Sequence, residues 1–207
     1  MKPLISITFF IFLLSTTICI CSCQNSKTSK PKQNSFITID LQPFKDISKE
    51  EQNYVANNLR MVYPHIKLLN SIELPKSAFY AERNRYRADS LIHFLSRQTP
   101  KGHVTIGLTT KDISTTKDSF SDWGVMGLGF CPGVACVASS FRLSKNERLM
   151  QLFKVSIHEL GHTQGLPHCA VKYCFMRDAE GRNPTNDEKD FCPACKTFLK
   201  QKGWNFE

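Results

Sequence analysis

The chain has 207 residues, of which 41% are hydrophobic and 22% are charged, and its formal net charge at pH 7 is +9. This size and balance are those of a soluble globular protein with one domain and additional segments. The basic residues are scattered, apart from two clusters, Arg83, Arg85 and Arg87, and Lys196, Lys200 and Lys202. Since no basic run is interleaved with aromatic residues, we expect no nucleic-acid partner.

The first 22 residues have the pattern of a bacterial lipoprotein signal peptide. Lys2 precedes an apolar run over residues 4–14, and the small residue Ser22 stands directly before Cys23. We therefore expect cleavage after residue 22, lipidation of Cys23 and export to a bacterial membrane, where the protein would face the periplasm or be at the cell surface. The alternatives are secretion after ordinary cleavage and an uncleaved anchor.

Residues 23–35 are polar and contain three lysines and Pro31, which is typical of a flexible tether. Such a tether would hold a folded domain, residues 36–207, away from the membrane surface. The membrane is thus an expected partner, reached through the lipid on Cys23.

Strands and helices alternate along the folded domain. Strands are predicted at residues 36–41, 65–69, 103–109, 124–130 and 134–140. Helices are predicted at residues 48–61, 87–97 and 144–165, and residues 75–84 are ambiguous. The first and third helices begin with capping boxes, at Ser48–Glu51 and Ser144–Glu147. This alternation indicates an α/β or α+β domain with a mixed sheet.

The last two strands are joined by Cys131-Pro132-Gly133, and Pro-Gly between apolar runs predicts a hairpin. Four glycines over residues 124–133 leave the backbone accessible near the edge of the sheet. An open edge could bind an extended peptide by strand addition. The alternative is a glycine-rich loop without a ligand.

The third helix carries the pattern HExxHxxGxxH between His158 and His168. His158 and His162 are four residues apart, so both imidazoles leave the same helix face. Gly165 can take the left-handed conformation that ends a helix, and the chain can then return His168 to the same metal ion. Three neutral nitrogens and one open position describe a catalytic zinc site. Glu159 lies further round the helix, where it could take a proton from a metal-bound water.

Four cysteines follow in two short-spaced pairs, Cys169 with Cys174 and Cys192 with Cys195. Two such pairs favour a structural zinc ion, because four thiolates fill its tetrahedral shell. This second ion would hold His168 in place through its neighbour Cys169. Disulfides are the alternative for an exported protein. The redox state of Cys131 and Cys136 stays open.

These motifs resemble those of a known family. The pattern of His158, Glu159, His162, Gly165 and His168 is similar to that of the metzincin zinc peptidases. Its continuation resembles the archaemetzincins in particular, through Cys169, Cys174, Met176, Cys192 and Cys195. The resemblance implies a compact α/β peptidase domain with a twisted mixed sheet, an active-site helix and a short C-terminal four-cysteine subdomain.

The resemblance also implies a role for each matched residue. The three histidines would hold a catalytic zinc ion, and the four cysteines would hold a structural one. Glu159 would be the general base and then the general acid. Met176 would lie in a Met-turn, as an apolar floor beneath the histidines.

We therefore expect a zinc-dependent metallopeptidase that hydrolyses peptide or protein substrates. One alternative is an exported, zinc-stabilised binding domain without catalytic activity, but a purely structural site has no use for Glu159 beside the water. A second is a zinc-ribbon-like nucleic-acid binder, which export disfavours. The substrate, the choice between endo- and aminopeptidase cleavage, and the oligomeric state do not follow from the sequence.

Overall fold

The computed structural model describes residues 36–206. The predicted signal peptide, residues 1–22, and the predicted tether, residues 23–35 with Cys23, lie outside the described residues. Between residues 36 and 206, no helix is both long enough and apolar enough to cross a bilayer.

Within this described part, the chain forms nine strands and four α-helices. The strands are β1 (Thr38–Pro43), β2 (Ile66–Leu68), β3 (Phe79–Tyr80), β4 (Arg85–Arg87), β5 (His103–Thr109), β6 (Ile113–Lys117), β7 (Phe120–Val125), β8 (Gly127–Gly129) and β9 (Ala135–Ser139). The helices are α1 (Lys49–Val62), α2 (Ala88–Ser96), α3 (Arg148–Thr163) and α4 (Pro193–Lys200). Every strand and helix predicted from the sequence has a counterpart here, with ends shifted by a few residues.

Five strands form the main sheet, in the order β2-β1-β5-β9-β8. The first four are parallel, and β8 lies antiparallel to β9 at the edge. Within the parallel part of the sheet, Ile39 on β1 is paired with Ile66 on β2 and with Val104 on β5. The predicted mixed sheet is therefore confirmed, and the predicted hairpin is the pair β8–β9.

Helices cover both faces of the main sheet, because its strands are apolar on both sides. On one face, Leu59 of α1 and Leu152 of α3 join the larger apolar core. On the other face, Leu91 of α2 belongs to a second core. Successive side chains of β9 belong to different cores, since Cys136 lies in the first core and Val137 in the second. The active-site helix α3 is thus anchored along its length against the sheet.

A second, smaller sheet has the strand order β3-β4-β6-β7 and was not predicted from the sequence. Ion pairs hold it together. Arg85 lies 3.1 Å from Asp112 and 3.2 Å from Asp122, and Arg87 lies 3.6 Å from Asp122. The arginine cluster noted in the sequence therefore pairs with carboxylates of its own domain.

The two predicted capping boxes have different outcomes. The one at α1 is confirmed: the Glu51 amide donates to Ser48 Oγ at 3.2 Å, and the Ser48 amide donates to Glu51 Oε2 at 3.1 Å. The one at α3 is wrong, because α3 begins after Glu147, which makes no side-chain cap. Instead, the Ser144 amide donates to the Gln151 side chain at 2.9 Å. Gln151, in the first turn of the helix, therefore accepts the hydrogen bond that the Glu147 side chain would accept in a capping box.

Candidate metal centre

Two histidines on the last turns of α3 face a cavity of about 910 Å³. The Nε2 atoms of His158 and His162 lie 3.0 Å apart. Two nitrogens bound to one tetrahedral zinc ion at about 2.0 Å are separated by about 3.3 Å. The helical spacing therefore brings this pair within reach of a single ion, as predicted.

Main-chain carbonyls fix the orientation of both rings. His158 Nδ1 donates to the carbonyl of Phe175 at 2.6 Å, and His162 Nδ1 donates to that of Leu166 at 2.8 Å. With the proton on Nδ1, each Nε2 presents a lone pair towards the cavity. Burial lowers the pKa of His162, and burial together with the neighbouring His162 lowers the pKa of His158 to about 3. Both rings are therefore neutral at pH 7, as metal ligands must be.

The chain turns back after α3 to bring in the third histidine. Gly165 has φ of +101°, in the left-handed region that favours glycine. The His168 ring centroid then lies 5.4 Å from that of His158 and 4.8 Å from that of His162. One nitrogen from each ring lies within 4.8 Å of the other two. The predicted three-histidine cluster is thus assembled in the fold.

His168 differs from the other two histidines in its exposure and in its partner. Its side chain is 48% exposed, and its Nδ1 lies 3.5 Å from the carboxylate of Asp178, which is equally exposed. A carboxylate behind a ligating imidazole is a common arrangement at zinc sites, because it orients the ring and raises its basicity. Sequence reasoning missed Asp178, since its position beside His168 depends on how the chain folds after Met176.

Glu159 lies in the wall of the same cavity and is buried between α3 and β8. A Cβ atom on Gly127 would lie 2.5 Å from Glu159 Oε1, and one on Gly129 would lie 2.8 Å from the Glu159 carbonyl oxygen. These two glycines therefore let the edge strand approach the carboxylate closely. Burial raises the pKa of Glu159 to about 8. The sequence predicted an accessible edge here, but not that its glycines accommodate Glu159.

Met176 lies directly behind the histidine-bearing helix. Its side chain is completely buried and packs against Gly161, between His158 and His162. Its carbonyl accepts a hydrogen bond from the Cys169 amide at 2.7 Å. Met176 therefore contacts both the histidine-bearing helix and the segment that carries Cys169.

The four predicted cysteine ligands also converge, and their sulfur atoms lie within 4.8 Å of one another. Cys169 and Cys192 are 3.7 Å apart at sulfur, and Cys174 and Cys195 are 3.8 Å apart. Sulfurs bound to one tetrahedral zinc ion at about 2.3 Å are separated by about 3.8 Å. A disulfide would need about 2.05 Å. The geometry matches a zinc shell and not a disulfide pairing.

Cys131 and Cys136 are separate free thiols in this structure. Cys131 is exposed, and its thiol donates to the Leu166 carbonyl at 3.3 Å. Cys136 is buried on β9, and burial raises the pKa of its thiol. Neither residue joins a metal cluster.

Comparison with known proteins identifies the family. Residues 32–201 match the model of a family described as peptidase family M54. The chain belongs to this family. Archaemetzincin of Halobacterium salinarum is 28% identical over 172 residues, which cover 76% of this chain and 96% of that protein. Archaemetzincin of Methanopyrus kandleri is 30% identical over 133 residues, or 62% of this chain and 74% of that protein.

Solved structures agree with these relatives. Archaemetzincin of Archaeoglobus fulgidus superposes with a TM-score of 0.67 at 26% identity, over 78% of this chain and 99% of that chain. The Methanopyrus kandleri structure has a TM-score of 0.69 at 24% identity and shares the fold, over 84% of this chain and 98% of that chain. The resemblance to archaemetzincins is thus confirmed. As a member of peptidase family M54, the protein is a zinc metalloprotease that acts on peptides or proteins.

Proposed function

We propose that this peptidase hydrolyses its substrates at a zinc ion held by His158, His162 and His168, with Glu159 as general base and then general acid. The single observation that carries the proposal is the convergence of three imidazole nitrogens in a cavity whose wall contains a buried carboxylate. Three histidines leave one corner of a tetrahedral ion open, which distinguishes this cluster from the closed four-cysteine shell.

A zinc ion bound there supplies Lewis acidity, which makes water more acidic and stabilises negative charge on a carbonyl oxygen. Proton transfer is carried out by a side chain of the protein. Glu159 accepts the proton that the attacking water loses, and then donates it to the departing amine. Its burial favours the protonated form, while a nearby divalent cation favours the ionised form. The balance of these two effects lets one carboxyl group both accept and donate near neutral pH.

The edge strand β8 would position the substrate. Its residues line the cavity on the side facing α3, and β8 is the last strand of the main sheet. A peptide paired with β8 would lie extended across the histidines, held by main-chain hydrogen bonds. Gly127 and Gly129 have no side chains to fill the space beside Glu159. Holding the scissile bond in this way supplies much of the proximity that catalysis requires.

We further propose that Cys169, Cys174, Cys192 and Cys195 hold a second, structural zinc ion. Their burial and their sulfur separations support this assignment. The ion would fix the segment between α3 and α4, and Cys169 directly follows His168. Two zinc ions per chain are expected.

Anchoring of the domain to a bacterial membrane through lipid on Cys23 is also proposed, with plain secretion as the alternative. The leader pattern of residues 1–22 supports it. Metabolic labelling with a fatty acid tests it. Label on the wild type that disappears in Cys23→Ala is the expected result, and label that survives the substitution would exclude this anchor.

Cleavage of a mixed peptide library tests the proposed chemistry. The wild type should cleave, lose activity with a zinc chelator and regain it with added zinc. Glu159→Gln should keep its zinc and lose about 10^3-fold in rate, given the usual size of acid–base contributions. Undiminished cleavage by Glu159→Gln would remove Glu159 from the mechanism. A zinc-loaded wild type that cleaves nothing in the library would instead favour a binding domain without catalytic activity.

A further inference from the structure

A lysine lies on the same face of α3 as the two histidines. Lys154 precedes His158 by one turn, as His158 precedes His162, so the three side chains follow one another along the helix. Lys154 lines the same cavity as the histidines and Glu159. The residue is only 8% exposed. The cavity therefore contains a buried ammonium group, carried by a residue whose Cα lies about 6 Å along the helix axis from that of the first histidine.

Two main-chain carbonyls hold the ammonium group in place. Lys154 Nζ donates to the carbonyl of Thr185 and to that of Glu188, both at 2.6 Å. Among residues 36–206, no carboxylate oxygen lies within 4.0 Å of it. An ammonium group has three donors, so one remains for another acceptor. Burial of an unpaired charge is costly, and a carboxylate from a ligand would offset that cost.

The fold determines which part of a bound peptide lies over Lys154. Strand β8 begins at Gly127, which faces Val155 and Glu159 on α3. Beyond the end of β8, the Gly133 amide donates to the carbonyl of Thr163, at the end of α3, at 3.2 Å. Strand β8 thus runs in the same direction as α3. A peptide that pairs antiparallel with β8 runs the opposite way, from His162 towards Lys154. The residues that follow the scissile bond therefore lie on the Lys154 side.

Distance limits the position further. An extended peptide advances about 3.3 Å per residue, so the 6 Å between successive turns of α3 corresponds to about two residues. The side chain of the first or second residue after the scissile bond can thus reach the ammonium group.

The cavity is also lined by other charged residues, Asp89, Lys117, Arg142, Arg177, Asp178, Glu180, Arg182 and Glu188. Arg177 is paired with Asp187 at 3.2 Å, and Arg182 is exposed. Glu188 is 4% exposed, and its burial raises the pKa of its carboxyl to about 7 even though the charge of Lys154 acts to lower it. A substantial part of this carboxyl group is therefore uncharged at neutral pH. The ammonium of Lys154 is therefore the dominant buried charge here, and it repels a cationic substrate side chain.

We propose that the Lys154 end of the cavity is a subsite for a substrate carboxylate. The carboxylate belongs either to an aspartate or glutamate side chain just after the scissile bond, or to the free C-terminus of a substrate cut close to its end. This inference rests on the proposed function, since it assumes that a peptide lies along β8. It assigns to the enzyme a preference for acidic residues, or for chain ends, on the leaving-group side.

Matched fluorogenic peptides test the subsite. Two peptides carry Glu or Gln at both the first and the second position after the scissile bond and have amidated ends. Two others end one residue after that bond, with a free or an amidated C-terminus. The wild type should cleave at least one carboxylate-bearing peptide about tenfold faster, in kcat/KM, than its neutral partner, as expected for a hydrogen bond to a charged group. The Glu/Gln pair and the end-group pair separate the two sources of the carboxylate.

Lys154→Met should reduce that ratio to about one in the folded, zinc-loaded variant. Lys117→Met is the matched control, because Lys117 is an exposed cation that lines the same cavity, and the ratio should not change. If the wild type cleaves the carboxylate-bearing and the neutral peptide of each pair at equal rates, the subsite is overturned, even if Lys154→Met does not fold. An unchanged ratio in Lys154→Met, or an equal fall of the ratio in Lys117→Met, overturns the subsite too. A wild type that cleaves the mixed library but none of these peptides overturns the subsite alone. A zinc-loaded wild type that cleaves neither shows that the proposed function is wrong.

Discussion

The close packing of β8 against Glu159 predicts that a single methyl group at residue 127 impairs catalysis. In Gly127→Ala, the new Cβ would lie 2.5 Å from Glu159 Oε1, 2.7 Å from its Cγ and 2.8 Å from Val155 Cγ1. Ordinary contact begins near 3.4 Å. The carboxylate must therefore move by about 1 Å, and a misplacement of that size costs about 100-fold in rate. The histidines lie on another face of α3, so both zinc ions should stay bound.

The effect on folding should be moderate. Overpacking of a core destabilises by about 1–3 kcal/mol, and the loss of a glycine from the unfolded chain offsets about 0.5 kcal/mol of that. The net change corresponds to a fall of about 2–8 °C in the thermal midpoint for a domain of this size.

The assay combines steady-state peptide cleavage, zinc content and thermal denaturation. Val137→Ala is the matched control, because Val137 lies on the neighbouring strand β9 and packs into the second core, and it does not line the cavity. It should lower stability while kcat/KM changes by only a few-fold. A folded, zinc-loaded Gly127→Ala with wild-type activity would refute the proposed role of this packing. Loss of the histidine-bound zinc would show that the substitution acts on the metal site instead.

Three further predictions concern groups around the two clusters. Asp178→Asn should weaken zinc binding at the histidines about tenfold in a chelator competition, because His168 loses its carboxylate partner. Unchanged zinc affinity would show that Asp178 does not support His168 as a ligand. Removal of zinc under non-reducing conditions should expose the four cluster cysteines to a thiol reagent, whereas disulfides would expose no new thiols. Glu188→Gln should stabilise the protein by about 3 kcal/mol at pH 8 and by less than about 1 kcal/mol at pH 5, measured by urea denaturation with saturating zinc. The raised pKa means that the folded protein keeps a proton that the unfolded chain releases between pH 4.5 and about 7, so wild-type stability falls through that window. A difference that does not depend on pH would contradict this reasoning.

The histidine and cysteine clusters could be predicted because their geometry is local. Spacing on one helix turn brings His158 and His162 together, and Gly165 allows the return of His168. Two short-spaced pairs bring four sulfurs to one point in a similar way. The main sheet followed from apolar runs such as residues 103–109, which are buried on both faces.

The second sheet escaped prediction because its stability comes from pairs distant in sequence. Strand β7 contains Ser, Asp and Gly, and its Asp122 is paired with Arg85 on β4, which no apolar periodicity reveals. The capping box at Ser144 failed for a local reason, since the Gln151 side chain competes for the Ser144 amide. Lys154 and Asp178 gain their significance only from the cavity that the folded chain forms around them.

X-ray absorption at the zinc edge of the purified, zinc-loaded protein tests the ligand assignment most directly. The expected spectrum combines four sulfurs at about 2.3 Å around one ion with three imidazole nitrogens at about 2.0 Å and a light oxygen ligand around the other. Substitution of His168 by Ala should reduce the imidazole signal and leave the sulfur shell intact. A wild-type spectrum with sulfur ligands alone, and one zinc ion per chain, would contradict a histidine-bound catalytic zinc.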